Sequence, residues 1–574
     1  MTRTDTFVVG TLVLLLAVVA GMIGVPALSP VAVTPSPTPT DPPVRAQRLY
    51  REGILGGPVS VSPLTARTQV DRDLVALVFS GLVRNGPGAT LVPDLAERWT
   101  VDDSGTTWTV TLRRSATWHD GTPVTSADVV YTIRTMQDPA YAGPAAGSWS
   151  EVTVTAPTDH TVTFSLTTPL GGFLQALTQP IAPAHILGDV PVADLPAHPF
   201  GQQPVGNGPF TLVELTPTSA SLLPALGSAG PDAGPTAGTT DSLATAAPTL
   251  RPDRPIPYLD GIELRFALDA SSLVNAFGNG DLDGISGLAP ATSVEIATAT
   301  GSRLLRYPGT TLTTVLLNQR PTHPEFRDPA VRTSLLAAID RSTIVDEIFA
   351  GAAVTASAPI PPSDEWFDPA DLGVAHDPAA AVKALEATRW DRKDGSWFLE
   401  GAKERLTFDV LSPSQDSNPA LFATAARVVQ AWRAIGIDAT HVALPPGEFA
   451  TDRLATGNFD VAVTDVTIGM DPDLYPLLAS SQTLTGGSNV SGVQDQTLDV
   501  LLAKARAPGS MADRAAAYAA LQAHLAVGRF VLPIAFADEV VVVHPTLQGP
   551  EVRQVTDPSD RFWDVLTWRL ADGR

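Results

Sequence analysis

LTFDVLSPSQDSNPALFATAARVVQAWRAIGIDATHV, residues 406–442, carries the reading of the fold. Residues 406–411 form a short apolar strand, after which Leu421, Phe422, Ala425, Val428, Val429 and Trp432 recur at helical spacing until Gly436 ends the helix. A second strand, around 437–442, starts roughly thirty residues after the first, which is the length of a βαβ unit and implies a partly parallel sheet. Next, Gly457-Asn458-Phe459-Asp460 leads into an apolar strand at 461–463 that runs out into 465–473. Loops at the carboxyl ends of such strands line the ligand crevice of open α/β sheets. Asp465, Asp471 and Asp473 on this loop, with Gly469, are therefore candidates to meet a ligand ammonium in a charge-assisted hydrogen bond, against the plainer reading of Asp-Pro and Gly as turn formers.

Working outward, Trp108, Val110 and Leu112 alternate with threonines, the period of a half-buried strand, and 152–154 with 162–166 read as a hairpin. Thr125 to Asp128 resembles a capping box opening a helix. Asn318, at the end of an apolar strand, and Trp366 with Phe367, in a loop after Pro359-Ile360-Pro361-Pro362, are further candidates for ligand contact, against the plainer readings of Asn318 as a turn former and of the aromatic loop as packed on its own lobe; Trp108, Trp118 and Trp432 read as core. The stretch 216–257 lacks any aromatic residue and is rich in Ala, Gly, Pro, Ser and Thr, so it is expected to be a disordered insertion, and deletion of 218–253 to leave folding and binding nearly unchanged.

The chain of 574 residues is long enough for two or more domains, and its net charge of −23 makes nucleic acid an unfavourable partner. With no cysteine there is no disulfide, no thiolate metal site and no lipid-modified N-terminal Cys. Residues 7–28 are an uncharged apolar run preceded by Arg3, long enough to span a bilayer: an anchor or a signal segment that exports the bulk of the chain. Six prolines in 29–44 predict an extended spacer, taken to 47, of about 3 Å per residue. His119-Asp120 sits beside Gly121 in a turn, the nine histidines lack metal-ligand spacing, Gly206-Asn207-Gly208 suits a tight turn or hinge rather than a phosphate loop, and no Gly-x-Ser-x-Gly stretch occurs.

Asp73-Leu74-Val75 through Gly81-Leu82, Pro93-Asp94-Leu95-Ala96-Glu97-Arg98-Trp99, 103–112 and Trp118-His119-Asp120-Gly121-Thr122-Pro123 with Asp128-Val129-Val130 resemble, in order and spacing, family 5 extracellular solute-binding proteins, the oligopeptide, dipeptide and nickel binders. The likeness continues through 204–210, Leu259-Asp260-Gly261-Ile262, Val331-Arg332, Ala338-Ile339-Asp340-Arg341, 457–460 and Asp471-Pro472. It implies an α/β, two-lobed periplasmic-binding-protein-like fold of class II type with an extra α+β domain and a hinge-closing cleft. The expected division is lobe I at 48–80, 201–300 and 530–574, the extra domain at 81–200 and lobe II at 301–529. The implied function is that of a non-enzymatic, monomeric component of an ABC importer, without cofactor or metal, which captures peptides or similar solutes and delivers them to the permease at the outer face of the membrane. A membrane-tethered sensor or envelope regulator is the alternative. In the family's peptide binders an acid four positions before the Asp-Pro proline grips the peptide amine. Here that position is Ile468, so Asp465 or Asp471 is expected to replace it. An Ala/Gly/Pro-rich insertion also stands where many relatives carry an Asn-Pro-x-Tyr-Trp segment.

Overall fold

Residues 407–444 fold as the βαβ unit their spacing predicts: strand Thr407–Pro413, helix Pro419–Ala434 and strand Asp438–Leu444, the two strands parallel. Asn418 caps the helix by accepting from the Leu421 N–H, with Pro419 at the first turn. Leu421, Ala425, Val428, Val429 and Trp432 are buried, whereas Phe422 is half-buried and leans on His441 at 4.7 Å between rings. Gly436 then takes φ +91°, a conformation that favours glycine.

The computed structural model describes residues 49–571 apart from 89, 147, 226–256, 370–372, 402, 404 and 484–486. The expected anchor or signal at 7–28, the Pro-rich spacer and most of the 216–257 insertion lie outside these residues. No described helix is long and apolar enough to cross a membrane.

Eleven of the described strands form one mixed sheet. In chain order they are β1 (Leu49–Leu55), β2 (Phe210–Leu215), β3 (Ser219–Pro224), β4 (Gly261–Ala267), β5 (Gly284–Ser286), β6 (Arg303–Leu317), β7 (Ala353–Thr355), β8 (Thr407–Pro413), β9 (Asp438–Leu444), β10 (Val461–Thr467) and β11 (Leu532–Val543). Across the sheet the order is β9-β8-β10-β6-β11-β5-β1-β4-β3-β2, with β7 beside β11. A separate antiparallel sheet of four strands, Ala96–Val101, Thr107–Leu112, Thr161–Leu166 and Val152–Thr158, contains the predicted alternating strand and hairpin. The tryptophans read as core, Trp108, Trp118 and Trp432, are all buried.

Two expected boundaries move. Residues 219–224 are not part of an insertion: they form β3, paired antiparallel with both β2 and β4, with Ala220 and Leu222 buried, so a deletion starting at Thr218 removes a sheet strand. Lobe II does not run from 301 to 529 either, because β6 and β11 each pass through two cores. Leu305, Tyr307, Val541 and Val543 pack with β1 and the four-stranded sheet, while Val315, Leu317, Leu532 and Ile534 pack with the helix Pro419–Ala434. The lobes therefore divide within these strands, near 308–312 and 536–538, where the β6–β11 register shifts. A third core covers the opposite face of β8 and β10, and a fourth backs β5.

The first lobe is closed by a buried charge cluster. Arg561, near the carboxyl end of the chain, donates to Glu52 on β1 at 2.7 Å and to Asp73 on the helix Gln69–Val78 at 2.7 and 2.8 Å. Tyr50 and Gln69 donate to the same two carboxylates. One guanidinium serves two carboxylates that have lost all water, and this desolvation pushes Asp73 up although Arg561 pulls it down. Removing Arg561 leaves two buried anions without a cation. Arg561→Ala should therefore lose about 3–5 kcal/mol of unfolding free energy, read from the shift in the urea midpoint.

Candidate functional site

The strand directions define a crevice. β8 and β9 run parallel, β10 is parallel to β8, and β10 ends with Thr467 opposite Thr311, at the point where β6 passes between the cores. On the other side β1 is parallel to β4 and β5, and β5 runs antiparallel to β11 toward the same crossing point. The carboxyl ends of both parallel sets thus converge on one junction, the arrangement in which open α/β sheets bind ligands.

On the second-lobe side this junction receives the amino end of the helix Pro419–Ala434, the ends of β8 and β9, and Asp465. Side chains alternate along β10, so Asp465 shares the face of Val461 and Val463, which pack with that helix. Its carboxylate accepts from Thr313 Oγ1 at 2.7 Å, and the Asn418 side chain hydrogen-bonds it as well. The Asp465 side chain is open to solvent, yet surrounding protein removes enough water to push its carboxyl up, against the pull of both hydrogen bonds. A carboxylate both reachable and partly desolvated is suited to holding a cation. Nearby, Ser412 Oγ and His441 Nε2 lie 2.8 Å apart, but Ser412 is fully buried and cannot be approached.

Asp471 lies elsewhere. Ile468, Trp366 and Tyr518 belong to the core on the opposite face, and Asp471 packs with them. Its two oxygens accept from Arg514 Nη2 at 2.9 and 2.8 Å, and one also accepts from Tyr518 OH at 3.0 Å. Arg514 lies 4.7 Å over the Trp366 ring, which stacks on Tyr518 at 5.5 Å and 17°. Asp473 pairs with Arg506 at 3.0 Å. The three aspartates read from the sequence as one loop cluster therefore separate: Asp465 is open, whereas Asp471 and Asp473 are already neutralised within the protein. Trp366 is buried within this stack rather than presented to a ligand. Asn318 is buried too, donating to the Gly457 and Phe459 carbonyls and accepting from Arg320, which makes it a structural strut. Gly469, at φ +85°, makes the turn between the two aspartates. Ile468 is buried and apolar and offers nothing to an amine.

Sequence reading missed Arg514 and Tyr518. Their signal was an i, i+4 pair on one face of the helix Met511–Gly528, where half of the other positions are alanine. It also missed two carboxyls that burial pushes up to about 7: Asp364, beside Trp366, and Glu539, on β11 at the junction. Among the described residues no group of His, Asp and Glu could hold a metal ion.

A sequence profile of the bacterial extracellular solute-binding proteins, family 5, matches residues 90–489. Protein XP55 of Streptomyces lividans is 29% identical over 91% of this chain and 86% of its own. The oligopeptide-binding protein AppA of Bacillus subtilis is 25% identical over 80% of each chain. Its solved structure, in complex with a nonapeptide, superimposes with a TM-score of 0.69 at 20% identity, covering 92% of this chain and all of that one. The structure of NikZ from Campylobacter jejuni with Ni(L-His) gives a TM-score of 0.67 at 21% identity over 91% of this chain and 99% of its own. The last two likenesses establish the fold, and the two differ in what they hold.

The Asp364 carboxyl tests the electrostatics of the Trp366 stack. Burial is the main cause of its rise; Asp471 and Glu365 add to it and Arg514 opposes it. Its pKa in the unfolded chain is about 3.9. As pH rises between about 4 and 7, the unfolded chain releases this proton while the folded chain keeps it, so the folded state loses stability across that window. Asp364→Asn, which cannot ionise, should show a smaller fall in Tm than the parent between about pH 5 and pH 8.

Proposed function

Because the chain belongs to the bacterial extracellular solute-binding proteins of family 5, we propose that it captures a peptide, or another solute bearing an amine, between its two lobes and presents it to the permease of an ABC importer. The observation that carries this reading is the Asp465 carboxylate: open to solvent, partly desolvated and held in place by Thr313 and Asn418 where the carboxyl strand ends meet. An ammonium enclosed between two lobes loses its water and needs a paired anion. Ile468 supplies none, and Asp471 has its charge met by Arg514. Asp465 takes the role.

In this reading the apolar run at 7–28 holds the folded body outside the membrane, and 29–47 acts as its spacer.

Titration calorimetry with a pool of tripeptides tests the amine grip. Asp465→Asn should weaken binding by about 2 kcal/mol, or roughly 30-fold, and N-acetylated tripeptides should bind the parent as poorly as free tripeptides bind the variant. Equal binding of free tripeptides by parent and variant would remove Asp465 from the site.

A further inference from the structure

The four-stranded domain touches the second lobe away from the junction, and the contact is built around two glycines. The Gly171 N–H donates to the Arg506 carbonyl at 2.8 Å. A Cβ on Gly171 would stand 3.1 Å from Arg514 Cζ and 3.2 Å from the Ala507 carbonyl oxygen. A Cβ on Gly172 would stand 2.6, 2.7 and 2.8 Å from Oδ2, Cγ and Cβ of Asp471. Beside them Gly105 lies so close to Pro508 that a side chain there has no room.

The backbone of Gly172 has φ −81° and ψ 5°, which any L-residue adopts. Nothing in its own conformation calls for glycine. The opposite lobe does, arriving too close for a methyl group. Asp471 cannot swing aside to make room, since Arg514 grips both its oxygens, Tyr518 holds one of them, and Arg514 is itself laid over Trp366. The stack that made Asp471 unsuitable for a ligand amine makes it a rigid seat.

We propose that the Gly171-Gly172 turn and the Asp471–Arg514–Tyr518 cluster are the two halves of a clasp that holds the lobes closed, Asp471 and Arg514 being positioning residues for the closed state. This rests on the reading that the lobes close around a solute. The contacts belong only to the arrangement in which the two parts have come together. A side chain at 172 is therefore neutral when they are apart and obstructive when they meet, so the glycine is an element of closure rather than of folding. Affinity is coupled to the clasp because a solute binds tightly only to the fraction of molecules able to close.

The chain has no cysteine, so Asp103→Cys with Ala512→Cys, both at exposed positions on the two sides of the contact, takes a pair of spin labels without background. Pulsed electron–electron distances are recorded with and without the tripeptide pool, in the parent and in Gly172→Ala, with Gly171→Ala as the second variant. The expected result is a short-distance population in the parent that falls about ten-fold in Gly172→Ala, an unchanged Tm and an apparent affinity weaker by a similar factor. Identical distance distributions in parent and both variants, or a parent that never shows the short distance, overturn the clasp. If the pool binds parent and variant equally, the clasp fails while the solute reading stands. If the pool binds neither but Gly172→Ala still loses the short distance, the clasp stands and the solute reading fails.

Discussion

Two strands, β6 and β11, belong to both lobes at once, and their shared pairing constrains everything else. Between Arg303 and Pro308 on one and Asp538 and Val543 on the other, the ladder serves the first lobe; from Leu312 to Val315 and from Leu532 to Phe536 it serves the second. Between these stretches the register breaks. Pro308 supplies no N–H, and Gly309 lies so close to the Ala537 carbonyl that a side chain has no room. The segment around Val555 fills the gap, accepting from the Thr310 N–H and donating to the Pro308 carbonyl. Rotation of one lobe against the other is cheapest at such a place, where the fewest ladder hydrogen bonds are disturbed. The same break turns the carboxyl ends of two parallel strand sets toward each other, so hinge and crevice have one origin.

Charge is distributed in keeping with that layout. At the first lobe's centre Arg561 joins the start and the end of the chain through Glu52 and Asp73, and its worth lies in the penalty for leaving either carboxylate alone. In the second lobe Arg514 and Arg506 neutralise Asp471 and Asp473, converting two acids of the loop after β10 into structure. Asp465 stands apart in accepting from neutral side chains, Thr313 and Asn418, rather than from a cation. A neutral donor orients a carboxylate without cancelling its charge, which leaves that charge available to a solute.

Much was legible from local pattern. The period of 3.6 in 421–432, the alternation in 107–112 and the thirty-residue strand repeat around Gly436 are properties of near neighbours, and all reappear in the structure. The composition of 216–257 misled at its start, because Ser219 to Pro224 lacks the aromatic signature of a strand yet finds partners in β2 and β4. Strand formation there is set by pairing rather than propensity.

By itself, the amino-acid sequence determined the α/β class, the βαβ unit of the second lobe, the family likeness and the loop after β10 as the place to look for acids. Only the tertiary structure decided which of those acids is free. Asp471 meets its cation 43 residues later, on another helix, and Asn318 finds the carbonyls that satisfy it 139 and 141 residues away. A side chain's partner at such separation depends on how whole elements pack, for which neither the 3.6 nor the 2.0 period carries a signal. Gly172 makes the same point. Its own dihedrals permit any residue, and its reason for being glycine lies in a lobe nearly three hundred residues further along the chain.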